Sequence, residues 1–371
     1  MTRMNASVFE NNPPLTLLSS LLLSNHTNGA ASDPILKPEP SPVELTREQF
    51  DAALELADSH HVTIRAMQVL SQIYRRAGDA TRKEWADSAM QRERARIENA
   101  VEFMERICQV LKSEGCDAVV IKSLDHWPDL GSDLDLYTDA DPARVIACMS
   151  RHFESRLAER SWGDRLASKW NFVLTGLPEA VEIHMQRLGQ TGEHVALAQL
   201  LLARSTVKPF GSRMFPVLAA EDRLMISTLQ RMYRHFNARL CDMVDNALLV
   251  ENGMLDYGDL QRSAEASGIW EGVATYLAVI VDYAAQFRGV RLRLPDVVLQ
   301  SASFGGDRVY FSNGYLRFPI LPDSARLYAS ELTTLMRQGR LRSTARLSLL
   351  PWLATAAALG EKITGSDKGI W

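Results

Sequence analysis

Between Thr46 and about residue 113, apolar positions recur at helical spacing. Val62, Ile64, Met67, Val69, Leu70 and Ile73 form one set, and Ile97, Val101, Met104 and Ile107 the next, each opposed by a mixed-charge face. Thr46 reads as an N-cap ahead of "REQFDAALELADSH", and Gly115 as the C-terminal stop of the long second stretch. The pattern then changes. "CDAVVI" (116–121) is a short apolar run of the parallel-strand type, and "DLDLYT" (133–138) alternates with period two. "DPARVIACMSRHFESRLAE" (141–159) returns to helical spacing with Pro142 in its first turn, and "NFVLTGLPEAVEIHMQ" (171–186) predicts two strands around a Gly-Leu-Pro turn. A helix between strands points to an α/β unit.

From residue 220 the pattern predicts one long helix. Its apolar stripe runs through Leu224, Leu229, Met232, Phe236, Leu240, Met243 and Ala247, and Gly253 closes it. Further helices extend to about 290. Asn313-Gly314 between the aromatic arms of "VYFSNGYLRF" (309–318) signals a hairpin, and the tail "RLSLLPWLATAAALG" reads as a packed helix. The fold class expected is α/β (α+β), a core with a small mixed sheet between N- and C-terminal helical regions. The expected organisation is an irregular or linker segment over 1–45, N-terminal helices over 46–113, the core over 114–215 and a mainly helical domain over 216–371. Within the first segment "PPLTLLSSLLLS" (13–24) is expected to form a short helix rather than a secretory signal, because no basic stretch of any strength precedes it.

Composition narrows the class. The chain has 371 residues, of which 46% are hydrophobic and 23% charged, as in an ordinary soluble protein with a sizeable core. The net charge of −4 gives no overall basic field for nucleic acid. No apolar run reaches the ~18 residues of a membrane span. The four cysteines have neither CxxC nor metal-like spacing and read as reduced core residues, so a cytoplasmic location is expected.

The candidate chemistry lies in "VVIKSLDHWPDLGSDLDLYTDAD" (119–141). Residues two apart in a strand share a face, so Asp133 and Asp135 point one way and Leu134 and Leu136 the other. Neighbouring carboxylates repel one another and are costly to desolvate unless a cation sits between them. Hard divalent ions such as Mg²⁺ take such oxygen ligands together with substrate phosphates. In "AVEIHMQ" the polar face carries Glu182, His184 and Gln186, and Glu182 offers a third acid. Solvated strand ends remain the bland alternative for all three.

Lys122-Ser123, nine intervening residues, Asp133-Leu134-Asp135 and the later Glu182 together resemble the DNA polymerase β-like nucleotidyltransferase superfamily. More narrowly they are similar to the bacterial "nucleotidyltransferase family protein" group, over residues of about 46–290. The resemblance implies a Mg²⁺-dependent enzyme, with two ions, that moves a nucleoside monophosphate from an NTP to an acceptor hydroxyl and releases pyrophosphate. It implies Asp133, Asp135 and Glu182 as catalytic metal ligands, with Lys122 and Ser123 in the phosphate turn. From the helical pattern, Arg231, Arg234 and His235 share a face that can reach the triphosphate, with Arg239 following. Asp242 and Asp245 are expected to pair with Arg239. Two positions depart from the group pattern: Ser123 replaces a glycine and Asp129 stands where an arginine is usual. They motivate the alternative of a degenerate fold acting as a binding or scaffolding module. The acceptor is expected to be a small molecule or protein rather than RNA. The five arginines within residues 326–346 are an open surface feature, and the oligomeric state is not legible.

Overall fold

The computed structural model describes residues 7–24 and 44–353. Helices α1 (Ser7–Glu10), α2 (Pro13–Leu23), α3 (Arg47–Ser59), α4 (Thr63–Ala77) and α5 (Ala80–Ser113) come first. The core follows with β1 (Ala118–Val120), β2 (Asp133–Thr138), α6 (Pro142–Phe153), β3 (Arg156–Leu157), α7 (Trp162–Ala167), β4 (Lys169–Val173), β5 (Ala180–Met185), α8 (Val195–Arg204), β6 (Thr206–Phe210) and β7 (Arg213–Val217). The remainder comprises α9 (Ala220–Thr228), π-helical turns over Leu229–His235, β8 (Asn237–Ala238), α10 (Leu240–Glu251), α11 (Tyr257–Ser267), α12 (Trp270–Arg288), α13 (Asp296–Ser301), β9 (Tyr310–Ser312), β10 (Tyr315–Arg317), α14 (Ala325–Arg337) and α15 (Leu341–Leu347).

Local signals explain many of these boundaries. Thr46 caps α3 in a full capping box with Gln49. Gly115, at φ 69°, ends α5 as the paired bonds from Gly115 N–H to the Lys112 carbonyl and from Cys116 N–H to the Leu111 carbonyl require. Seven strands form one mixed sheet in the order β3-β4-β5-β2-β1-β7-β6. The pairs β2–β5 and β1–β7 are parallel and the others antiparallel. This is the expected α/β class. Leu134, Leu136, Val181 and Ile183 are fully buried on the apolar side of β2 and β5, and α5 packs across β1 and β7. A small second sheet, β8-β10-β9, contains the expected hairpin at Asn313-Gly314. Among the described residues no helix is long and apolar enough to cross a membrane.

The structure corrects four sequence expectations. The run at 116–121 is not purely parallel, since β1 pairs antiparallel with β2 and parallel with β7. The helix from Pro142 stops at Phe153, where Glu154 turns left-handed and frees Arg156 and Leu157 to pair with β4. The single helix expected from 220 to 253 is three elements: α9 widens into π-helical turns, Phe236 adopts φ 51°, and β8 intervenes before α10. Strands β6 and β7 carry no clean alternation and were not anticipated. Within the irregular or linker segment expected over 1–45, α1 and α2 are helical and residues 1–6 and 25–43 lie outside the described residues, as does the part of the expected tail helix beyond residue 353.

Buried charge ties the outer helices to this frame. Arg65 of α4 reaches Asp129 at 2.8 Å and Asp245 of α10 at 2.5 Å. Asp129 also accepts the Ile64 N–H at 2.6 Å. Asp129 is therefore a structural anchor. Removing one partner from such a network leaves an uncompensated buried charge. Arg65→Met should therefore lower the unfolding free energy by about 3–5 kcal/mol. Adding Asp129→Asn should recover part of that loss in urea denaturation. A loss below about 1 kcal/mol would put the network among surface pairs.

Candidate functional site

The parallel register of β2 with β5 sets Asp135 directly beside Glu182 and Tyr137 beside His184. Period-two geometry then places Asp133 on the same side as Asp135. Asp133, Asp135 and Glu182 line one cavity of about 390 Å³, as do Lys122, Ser123, Arg231 and His235. Asp135 and Glu182 are nearly buried, and Asp133 is half-buried. Possible ligand atoms of Asp135, Glu182 and His184 lie within 4.8 Å of one another; Asp133 stands outside this group.

Two lysines neutralise the acids. Lys122 Nζ lies 2.6 Å from Asp135 and 3.8 Å from Glu182. Lys169, on β4, lies 2.9 Å from Glu182 and 2.8 Å from Asp164 of α7. His184 Nε2 bonds Glu182 at 2.7 Å. Burial alone would raise the Glu182 carboxyl, but Lys122, His184 and Lys169 together hold it well below the usual range. Burial pushes Asp135 up to about 7 against the pull of Lys122, with Glu182 adding repulsion. Burial, and then Glu182, raise Asp133 as well. Burial raises an acid because a low-dielectric surround disfavours its charged form.

The proposed phosphate turn has a different internal structure from that expected. Lys122 sits at φ 68°, and the Ser123 N–H is taken by the Ile121 carbonyl at 2.8 Å. The Ser123 hydroxyl donates to the Asp133 carbonyl at 3.1 Å and accepts the Asp135 N–H at 2.7 Å. Ser123 thus clamps the backbone that carries both aspartates. Arg231 is buried and paired with Asp242 at 2.8 Å, although part of it reaches the cavity. Burial, and then Arg234, depress His235 to about 2, so its ring is neutral. Arg234 and Arg239 also line the cavity. Although the turns over Leu229–His235 are π-helical, Arg231, Arg234 and His235 all line the cavity. Asp242 and Asp245 do not pair with the Arg239 guanidinium: Asp242 caps the Arg239 N–H at 2.8 Å, and Asp245 serves Arg65 and His126. Gly272 on α12 leaves room for Tyr233 of these turns, since a Cβ there would lie 2.4 Å from its hydroxyl.

Sequence reasoning missed Lys169, His61, Asn237 and Tyr315, which complete the cavity wall. Only the pairing of β4 with β5 reveals Lys169: its register partner is His184, and that of Asn171 is Glu182. His61 and Tyr315 arrive from α4's entry and from the hairpin, and no short motif marks them.

No protein-family model matches the chain, and no curated protein sequence matches it significantly. Among solved structures it is similar to an antigenic nucleotidyltransferase-like protein from Paracoccidioides brasiliensis. That match has 13% identity and a TM-score of 0.32, covering 45% of this chain and 85% of that one. It is also similar to a tRNA-processing enzyme in an apo form, at 9% identity and a TM-score of 0.24, covering 73% of this chain and 68% of that one. Neither score decides a function.

Because the folded Asp135 carboxyl holds its proton up to about 7, against an ordinary 3.8, protonation favours the folded state. That contribution is complete below about pH 4 and is lost as pH rises towards 7. In metal-free protein, the stability of the wild type relative to Asp135→Asn should therefore fall across this window and level off above it. A difference independent of pH in denaturation curves would contradict the assignment.

Proposed function

We propose that the cavity binds a nucleoside triphosphate and transfers its nucleotidyl group to an acceptor hydroxyl, releasing pyrophosphate. The observation that carries this reading is the alignment of Asp135 with Glu182 on adjacent parallel strands, with Asp133 beside them, inside a cavity ringed by cations. The donor set fits Mg²⁺, which favours carboxylate oxygens. Lys122 Nζ between Asp135 and Glu182 acts as a stand-in, a positive charge already seated among the acids. Asp133, Asp135 and Glu182 would hold one or two Mg²⁺ ions, and bound there the metal would polarise the phosphate and lower the acceptor hydroxyl's pKa.

The chain's own groups do the rest. Lys122, Arg234 and Arg239 offer charge to the phosphates, and Lys122 can swing to them on its flexible stem once its carboxylate partner is otherwise neutralised. Glu182 or Asp135 would receive or steer the acceptor proton, with the help of the bound metal. The acceptor oxygen forms the new bond to the α-phosphorus. The bond from that phosphorus to the bridging oxygen breaks, and the electron pair leaves with pyrophosphate. His61, Ser132 and Tyr315 border the same space, where a small acceptor or an exposed protein side chain would approach. The enzyme would work in the cytoplasm, where its cysteines stay reduced.

A second reading has its own support. Lys122 and Lys169 already neutralise the acids, and both the hydroxyl and N–H of Ser123 are engaged within the protein. A chain that binds nucleotide without turnover, as a scaffolding module, would have these features too.

With α-labelled NTPs, Mg²⁺ and a mixed protein and metabolite extract, the wild type should transfer label. Asp133→Asn and Asp135→Asn should each reduce transfer by on the order of 10²–10³-fold. Undiminished transfer in both variants would overturn the assignment. NTP binding in calorimetry without transfer would favour the module.

A further inference from the structure

Beside the cavity, a second group of side chains has no part in the proposed reaction. His126 ends the single turn (Ser123–His126) that follows Lys122, and Cys241 and Asp242 open helix α10. Cys241 is fully buried and Asp242 nearly so. Cys241 Sγ lies 3.6 Å from His126 Nε2. The other ring nitrogen, Nδ1, is held by Asp245 at 2.6 Å. One ligand atom from each of His126, Cys241 and Asp242 falls within 4.8 Å of the other two.

We propose that His126, Cys241 and Asp242 form a binding site for a zinc-type divalent cation, distinct from the carboxylate cluster, with Asp245 orienting the histidine. The sulfur-to-nitrogen distance is the first support. Zinc bonds of ~2.3 Å to sulfur and ~2.0 Å to nitrogen, at a tetrahedral angle, set those two atoms roughly 3.5 Å apart. The second is the Asp245 contact. A carboxylate on Nδ1 fixes the proton there and turns an unprotonated Nε2 towards the ion, the usual arrangement behind a metal-bound imidazole. The third is donor chemistry, since one sulfur, one imidazole and one carboxylate favour a borderline-soft ion over Mg²⁺. Burial raises the Cys241 thiol against the pull of His126, so an arriving ion would displace the thiol proton.

The same Cys-His-Asp order would suit a thiol nucleophile with its base and orienting acid. Complete burial of Cys241 opposes that use, because a substrate must reach the sulfur whereas an ion needs only a narrow path. His126 borders the neighbouring cavity and gives such a path. An ion here would pin the turn carrying Ser123 to α10, and with it the strand entry that holds Asp133.

Elemental analysis of the purified full-length chain should find about one zinc per molecule. Replacing zinc with Co²⁺ should produce the thiolate-to-cobalt charge-transfer band. Cys241→Ser should abolish that band, and Asp135→Asn should leave it intact. Asp245→Asn should weaken Co²⁺ binding by about 10–100-fold. Folded wild-type protein with no band and no retained zinc would overturn the site. So would a band that survives Cys241→Ser or disappears with Asp135→Asn. Rapid alkylation of Cys241 in protein that binds no cobalt would point to the nucleophile instead. Because the band needs no nucleotide, its loss and the loss of nucleotidyl transfer are separately readable.

Discussion

Glu182 is the constraint on which the rest of the site depends. A carboxylate this deeply buried cannot stay ionised without compensation, and the desolvation penalty runs to several kcal/mol. Lys122, Lys169 and His184 surround it, and Asp164 in turn holds Lys169. Compensation is uneven: Glu182 takes most of the positive field, while Asp135, its register partner on β2, keeps its proton close to neutral pH. Two like acids are thereby driven towards different ionisation, which is the condition under which one holds charge and the other handles a proton.

That arrangement needs a rigid frame, and the frame is largely electrostatic too. Arg65 joins the helices before the sheet to Asp129 and Asp245, Arg231 meets Asp242, and Arg223 meets Asp125 at 2.7 Å. Each pair couples an element outside the sheet to the short turn between β1 and β2 or to α10. The walls of the cavity and the strands that bear the acids are consequently one packed unit, and an error in one buried pair is felt at the others.

Much of this was legible in the sequence for a simple reason: local periodicity and short-range order are written locally. The alternation of "DLDLYT", the two-strand reading of 171–186, the capping residues Thr46 and Asp141, and the Asn313-Gly314 hairpin all have causes within a few residues. Lys169 was illegible because its meaning depends on a strand partner. Arg231 lines the cavity with Arg234 and His235, but its ion pair with Asp242 was illegible because it joins two separate elements. Ser123 looked like a phosphate ligand because the turn was legible but its bonds to Asp133 and Asp135 were not. Asp129 looked like a defect in a motif and is half of an ion pair 64 residues away in sequence.

The widened turns at Leu229–His235 have one more consequence. A helix wound at five residues per hydrogen-bonded loop accommodates an additional residue without breaking, so the segment resembles an insertion absorbed into α9. Deleting a single residue there would let ordinary α-helical winding resume within the segment itself. The side chains of the segment, Arg234 among them, would then be re-spaced around the helix axis at the cavity wall. Length within this segment, more than residue identity, is therefore the variable that sets which cations face the acids.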